Sequence, residues 1–277
     1  MRLCRFNHDR IGVVRGNTVH DVSAILADLP AMRWPLPPGD ALIARLAELR
    51  PRIEALADVA PPLPLAGIKL DSPVANPSKI VAAAANFPEH LATMKVQPGE
   101  LGTLIKVPTC LVGPAAGVAL RFLDRTNVHE TELAVIIGKG GSDIAKEAAL
   151  GHVAGYAIGL DITLRGKEFP SICKSIDTYG VLGPWLVTPD EMGDVSNLNF
   201  SLKVNGEPRQ KDNTSRFVLD VPSLIAFASR YMTLYPGDII MMGNPPGAAP
   251  LKPGDVMEAM IDRIGTMTVA VRAHSAQ

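Results

Sequence analysis

Glu130 and Glu132 stand two residues apart, directly after His129 and at the head of the apolar run Leu133-Ala134-Val135-Ile136-Ile137. On a strand, alternate side chains share a face, so the two carboxylates project the same way, roughly 7 Å apart at the backbone. That separation lets both close on one small cation. Asp161 ends a second apolar run, Val153 to Leu160, and can supply a third oxygen. Three carboxylates without a neighbouring cysteine or paired histidine favour Mg²⁺ or Mn²⁺, with Ca²⁺ also suited to oxygen ligands, over zinc or copper. The competing reading makes Glu130 and Glu132 the wet face of a half-exposed strand, the ordinary result of polar-out alternation in an antiparallel sheet.

Other residues suit chemistry on an anionic small molecule. His90 follows Asn86-Phe87-Pro88-Glu89, where Pro88 fits the first turn of a short helix. A histidine there can serve as a mobile general base, because its pKa lies near neutrality; a plain surface histidine looks the same in sequence. Glu89 is adjacent to it and so points to another helical face. Arg165, four residues after Asp161, can hold a substrate carboxylate through its paired donors, or face solvent. Lys174 and Asp177 form another charged pair; a lysine beside a cation site can polarise a carbonyl or enolate, whereas a surface ion pair is the commoner outcome. Gly243-Asn244-Pro245-Pro246-Gly247 can present amide N–H groups to a ligand or be only a tight turn. No Walker, G-x-S-x-G or G-x-G-x-x-G pattern is present, which disfavours nucleotide, serine-hydrolase and dinucleotide chemistry.

The elements that must position these residues can be read coarsely. The chain has 277 residues, 47% hydrophobic and 20% charged, with a formal net charge of −1. That length accommodates a large domain plus a small one. The charge balance leaves no basic patch for nucleic acid or membrane. Cys4, Cys110 and Cys173 are odd in number and far apart, which fits a reducing cytoplasm and argues against a disulfide framework. The start is too polar for a signal peptide, and no apolar stretch is long enough to span a bilayer.

Short strands are expected at Arg2–Phe6, 11–14 and 18–22, then a helix from Ala41 capped by Asp40 and broken or kinked at Pro51. The cluster Pro61, Pro62 and Pro64 reads as a linker and places a boundary between a small domain, 1–66, and a large one, 67–277. The large part shows strand patterns at 104–107, 133–137, 185–187, 200–204, 239–242 and 268–272, with helical character at 144–150 and 223–233. Pro-Gly-Asp occurs before a strand at Pro236 and again at Pro253, a turn signal. Strands and helices do not alternate regularly, so a mixed, mostly β architecture is expected over a doubly wound sheet.

These pieces together resemble the fumarylacetoacetate hydrolase family. The matching residues are Asn86-Phe87 with His90, Lys106, the Glu130-x-Glu132-Leu-Ala-Val-Ile-Ile-Gly block, and Gly155-Tyr156 with Asp161 and Arg165. They continue through Lys174-Ser175-Ile176-Asp177, Leu182-Gly183-Pro184, Val204-Asn205-Gly206-Glu207 and Pro236-Gly237-Asp238, in family order. The resemblance implies an α+β, predominantly β fold: a mixed β-roll preceded by a small N-terminal α+β domain, assembled as a homodimer. It implies Mg²⁺, or Mn²⁺ or Ca²⁺, held by Glu130, Glu132 and Asp161. The implied substrate is a 2-oxo or β-dicarbonyl acid, such as an acylpyruvate, a fumarylpyruvate-like ring-cleavage product or oxaloacetate. In the implied reaction the cation stabilises the enolate released when a carbon–carbon bond breaks. Arg165 and Lys174 neutralise charge, and His90 activates water on a closing lid. Lys106, Glu168, Asn244 and Arg165 are the implied substrate contacts.

Several positions depart from that family's pattern. Thr93 stands where a glutamate normally partners the histidine, and threonine cannot charge-stabilise an imidazolium. Glu168 replaces a glutamine, Gly166 an aspartate and Asn244 a threonine, while the loop from Asp161 to Lys174 is short and lacks its usual tryptophan. A hydrolase of β-dicarbonyl acids is the leading expectation. The alternatives are a decarboxylase, isomerase or lyase of the same family, which needs no activated water, and a member that binds metal and ligand without turnover.

Overall fold

The strand Thr131–Ile137 is buried along its whole length, on both faces. A computed structural model describes residues 1–275. In it this strand pairs antiparallel with Val153–Asp161 on one side and with Ile239–Met241 on the other. The large mixed sheet to which it belongs runs in the order Pro62–Pro64, Thr18–Asp21, Arg10–Arg15, Arg2–Phe6, Gly180–Val187, Val153–Asp161, Thr131–Ile137, Ile239–Met241, Ile80–Ala83 and Thr103–Lys106. A second sheet is built from Glu207–Asn213, Asn199–Val204, Val256–Ile261, Gly265–Ala273 and Val118–Leu120. The fold is α+β and mostly sheet, with both sheets open.

The period of two explains how the layers form. Leu133, Val135 and Ile137 share one face and pack into a core with Phe200, Leu202, Met257 and Val269 of the second sheet. Ala134 and Ile136 occupy the opposite face, in a core with Leu49, Ile53 and Ala57 of the helix Leu46–Val59. Glu130 and Glu132 are in step with Ala134 and Ile136. They therefore lie on the face of the sheet whose buried residues join the core that includes the N-terminal helix. This double burial removes the reading of the two glutamates as a wet strand face.

The N-terminal elements differ from expectation in two details. The proline cluster is not a free linker, because Pro62–Pro64 pairs antiparallel with Thr18–His20 as an edge strand, a position where a missing N–H is tolerated. Arg2–Phe6 also pairs with Gly180–Val187, so sheet and core run across residue 66. Pro51 does not break its helix. The interruption lies at Arg45, between Ala41–Ala44 and Leu46–Val59, and burial of Leu46, Leu49, Ile53 and Ala57 carries the second helix through the proline. Asp40 caps as expected, accepting from the N–H groups of Leu42 and Ile43 at 3.0 and 3.1 Å. Asp220 likewise caps the helix Val221–Tyr231. The segment around 144–150 is a 3₁₀ helix, Lys146–His152. All three cysteines are free and buried. Among the described residues no helix is long and apolar enough to cross a membrane.

Candidate metal centre

Antiparallel register brings the three carboxylates together. Thr131 pairs with Leu160 and Glu132 with Gly159, and the N–H of Asp161 donates to the carbonyl of Glu130 at 2.9 Å. Asp161 is thus the cross-strand neighbour of Glu130, while Glu132 is the next residue on the same face. One oxygen from each of Glu130, Glu132 and Asp161 lies within 4.8 Å of the others, and all three residues are buried.

Two lysines supply the countercharge. Lys174 closes the short helix Pro170–Lys174 and donates to Glu130 Oε2 at 2.7 Å, Asp161 Oδ2 at 2.6 Å and Thr163 Oγ1 at 2.7 Å. Burial alone would lower its pKa, but Asp161 and Glu130 outweigh burial and hold it above the ordinary lysine value. Lys106 ends the edge strand Thr103–Lys106 with no exposed surface, and donates to Asp161 Oδ1 at 2.5 Å, to the Tyr179 carbonyl at 3.1 Å and to the Lys174 carbonyl. Burial works against ionisation of Asp161, yet Lys106 and Lys174 prevail and keep its pKa below the usual carboxylate value.

Glu132 is treated differently. Among the described residues its one hydrogen-bond donor is the Gly243 N–H, at 2.5 Å. Burial, then the nearby charges of Asp161 and Glu130, push its pKa up to about 8. Gly243 has a positive φ of 92°, and a Cβ there would lie 3.0 Å from that of Asn86. Glycine is what lets this amide reach the carboxylate. The Asn86 side chain holds the turn in place by donating to the Met242 and Leu219 carbonyls and accepting from the Leu219 N–H.

The donor set fits a hard divalent cation. With all three acids ionised, as a bound cation requires, three carboxylates against two ammonium groups leave one net negative charge in a buried site, and the raised pKa of Glu132 reflects that cost. Burying such a charge without compensation is costly, and a divalent ion would turn the balance to one net positive charge, suited to an anionic ligand. Residues 79–272 match the fumarylacetoacetate (FAA) hydrolase C-terminal family.

The chain belongs to the fumarylacetoacetate hydrolase family. A maleylpyruvate hydrolase from Aquipseudomonas alcaligenes is 48% identical to it over 286 residues, covering 99% of this chain and all of that protein. The crystal structure of maleylpyruvate hydrolase from Sphingobium sp. SYK-6, in complex with manganese(II) and pyruvate, has a TM-score of 0.87 and 38% identity, covering 99% of this chain and all of the other. Human mitochondrial oxaloacetate tautomerase FAHD2A is 36% identical over 228 residues, 77% of this chain and 72% of that protein.

For this fumarylacetoacetate hydrolase family member, the structure places the expected reacting residues and shows where the departures at Thr93, Glu168 and Asn244 lead. His90 lies half-buried on the helix Pro88–Met94, which starts beside the Asn86–Gly243 contact; its ring has no hydrogen-bond partner among the described residues. Thr93 turns its hydroxyl back onto the Glu89 carbonyl at 2.8 Å. Glu89 is drawn away to Arg216, whose hydrogen bond lowers its pKa, so neither group orients His90. Arg165 is exposed, with its backbone N–H donating to the Thr126 carbonyl at 2.8 Å. Glu168 is paired with Arg125 through two bonds of 2.9 and 2.8 Å, which cancels the charge it would otherwise present. Asn244 is buried and donates to the Pro245 carbonyl at 2.9 Å.

Two expected contacts change partner. Lys174 does not pair with Asp177, which binds Arg121 at 3.2 Å instead. Lys106 lies underneath Asp161, its ammonium fully engaged by protein acceptors. Sequence reasoning missed Thr163, which binds Lys174 and donates to Glu130 Oε1 at 3.2 Å. Its place two residues after Asp161, in strand step, was the available signal.

Proposed function

We propose that this chain is a divalent-metal-dependent hydrolase that cleaves a carbon–carbon bond in a β-dicarbonyl acid of the acylpyruvate class, with maleylpyruvate as the first candidate. The observation that carries this reading is the buried cluster of Glu130, Glu132 and Asp161, in which Glu132 has, among the described residues, a single backbone donor and no lysine or arginine bonded to it. Glu130, Glu132 and Asp161 would hold the ion. When bound, it supplies Lewis acidity to the 2-oxo acid oxygens and stabilises the negative charge that builds as the bond breaks.

The remaining work falls to the chain. Lys174 and Lys106 hold Glu130 and Asp161 ionised and oriented, so the acid groups present lone pairs without rearrangement. Arg165, exposed four residues after Asp161, receives the substrate carboxylate. His90 takes a proton from the attacking water at a ring nitrogen, a role open to it because neither nitrogen has a protein partner among the described residues. Mg²⁺ as the resident ion, a cytoplasmic setting and a homodimer complete this proposal.

Thr93 favours a second reading. With no carboxylate to orient His90, water activation is weakened while proton transfer at carbon is not, so the same site can run keto–enol tautomerisation of a 2-oxo acid. The two readings separate in one experiment. The enol absorption of maleylpyruvate, acetylpyruvate and oxaloacetate is followed with Mn²⁺, with Mg²⁺ and with chelator, and products are identified. Metal-dependent release of pyruvate plus a second acid is expected. Loss of the enol band without new acids points to tautomerisation, and rates indifferent to chelator would sink the metal-dependent reading.

A further inference from the structure

We propose that Gln210 is a positioning residue that sets the spacing between the Glu130–Glu132 pair and the Gly243–Gly247 loop; this rests on the metal-dependent reading above. Gln210 lies on the edge strand Glu207–Asn213, where the first three residues are exposed and Gln210 alone is fully buried. Its side chain leaves the second sheet and enters the space between the metal strand and the loop. Oε1 accepts from the Thr131 N–H at 3.1 Å, and Nε2 donates to the Pro245 carbonyl at 2.8 Å.

Those two backbone partners fix which end of the amide is which, because an N–H can only donate and a carbonyl can only accept. His129 Nδ1, 3.1 Å from the same Oε1, therefore carries its hydrogen and donates. One amide thus grips the backbone between the two glutamates and, at its other end, the loop whose Gly243 N–H is the donor to Glu132. The loop rests on the same strand elsewhere. Gly247, at φ 107°, packs so close to Arg209 that a Cβ would meet its carbonyl oxygen at 2.2 Å. The Ala249 carbonyl also accepts from the His129 N–H at 3.3 Å.

A purely space-filling role would suit an apolar side chain, as at Leu202, the cross-strand partner of Gln210. A buried amide is retained at net benefit only where its donors and acceptors are used. Here they are used on two segments that meet at Glu132. Groups that orient metal-binding side chains typically contribute about 10–100-fold to metal affinity.

The test is Gln210→Met, which keeps the volume and removes both grips. Mn²⁺ titration by calorimetry, with kcat and KM at saturating Mn²⁺, reads the effect. Expected are a Kd for Mn²⁺ weakened about 10–100-fold and a lower kcat at saturating metal, with KM changed less. A Kd and kcat equal to wild type would overturn the proposal, whatever happens to Tm. If Gln210→Met does not fold, Gln210→Asn serves, since an amide one methylene shorter cannot span both partners; an unchanged Kd there overturns it equally. Failure of the wild-type protein to bind Mn²⁺ would instead overturn the metal-dependent reading on which the proposal rests.

Discussion

Asp238 and Glu132 are both buried acids that end up with opposite roles. Asp238 has no exposed surface, and accepts from the Ser78 N–H and hydroxyl at 3.1 and 2.6 Å, the Lys79 N–H at 3.1 Å, the Lys79 ammonium at 2.5 Å and the Tyr235 N–H at 2.8 Å. Its lone pairs are filled by the protein. It ties the turn ahead of the Ile239–Met241 strand to the segment leading into Ile80–Ala83. Glu132 has one N–H and two like-charged neighbours. Asp238, its acceptors filled and its charge met by Lys79, is architecture, whereas Glu132, short of donors and crowded by two other acids, is a place prepared for a cation.

The sharpest way to break that comparison is to neutralise each acid. Glu132→Gln should abolish Mn²⁺ binding and lower activity by more than about 10³-fold, since metal catalysis supplies several kcal/mol. The metal-free protein should keep its Tm at neutral pH, where Glu132 is already protonated, and gain stability above about pH 8, where the substitution removes a repelling charge. Retained Mn²⁺ affinity would contradict the assignment. His90→Ala should lower kcat about 10²–10⁴-fold, the usual size of a general-base contribution, with Mn²⁺ affinity intact. An unchanged kcat would remove His90 from the reaction.

Asp238→Ala should act on stability, costing about 3–5 kcal/mol because the Lys79 ammonium loses its partner. Chemical denaturation measures this. A Mn²⁺ Kd weakened as strongly as in Glu132→Gln would erase the distinction between the two acids.

The pH dependence sharpens it further. Glu132 in the metal-free protein has a pKa of about 8, so below that value the ion must displace a proton. Apparent metal affinity should fall up to about tenfold per pH unit as pH drops from about 8, with proton release seen by calorimetry in buffers of different ionisation heat. The sign for stability is opposite. The raised pKa favours the metal-free fold at low pH, and that contribution fades as pH climbs from the ordinary carboxylate range through about 8. Smallest of all is Arg125→Ala, which frees the exposed Glu168 carboxylate. KM should rise modestly through repulsion of an anionic substrate, with Tm and kcat near wild type.

Much of the site was legible in the residue order. The i, i+2 spacing of Glu130 and Glu132 ahead of an apolar run encodes a shared face, and the Asp161 position at the end of another run encodes a partner strand. Turns were legible too, because Gly237 and Gly254 of the two Pro-Gly-Asp segments take the positive φ that those tripeptides favour. Misreadings arose where distant contacts override local preference. Pro51 sits inside a helix because four buried side chains hold it there. Pro62–Pro64 is strand because Thr18–His20 offers an edge. Lys174 bonds Glu130 and Asp161 and not nearby Asp177, since two buried carboxylates attract it more strongly than one exposed one.

By itself, then, the sequence determined which side chains share a face, where the chain turns, and that three acids of the right type lie on adjoining elements. Those properties follow from the period of a strand and from what glycine and proline permit locally. Only the tertiary structure decided the register that sets Asp161 across from Glu130, the burial of both strand faces, and the division of labour among the acids. That division depends on which donors arrive from far along the chain: Lys106 and Lys174 at Asp161, and the Gly243 N–H alone at Glu132. Charge compensation in a buried site is a matter of distance in space, and spacing along the chain does not encode it.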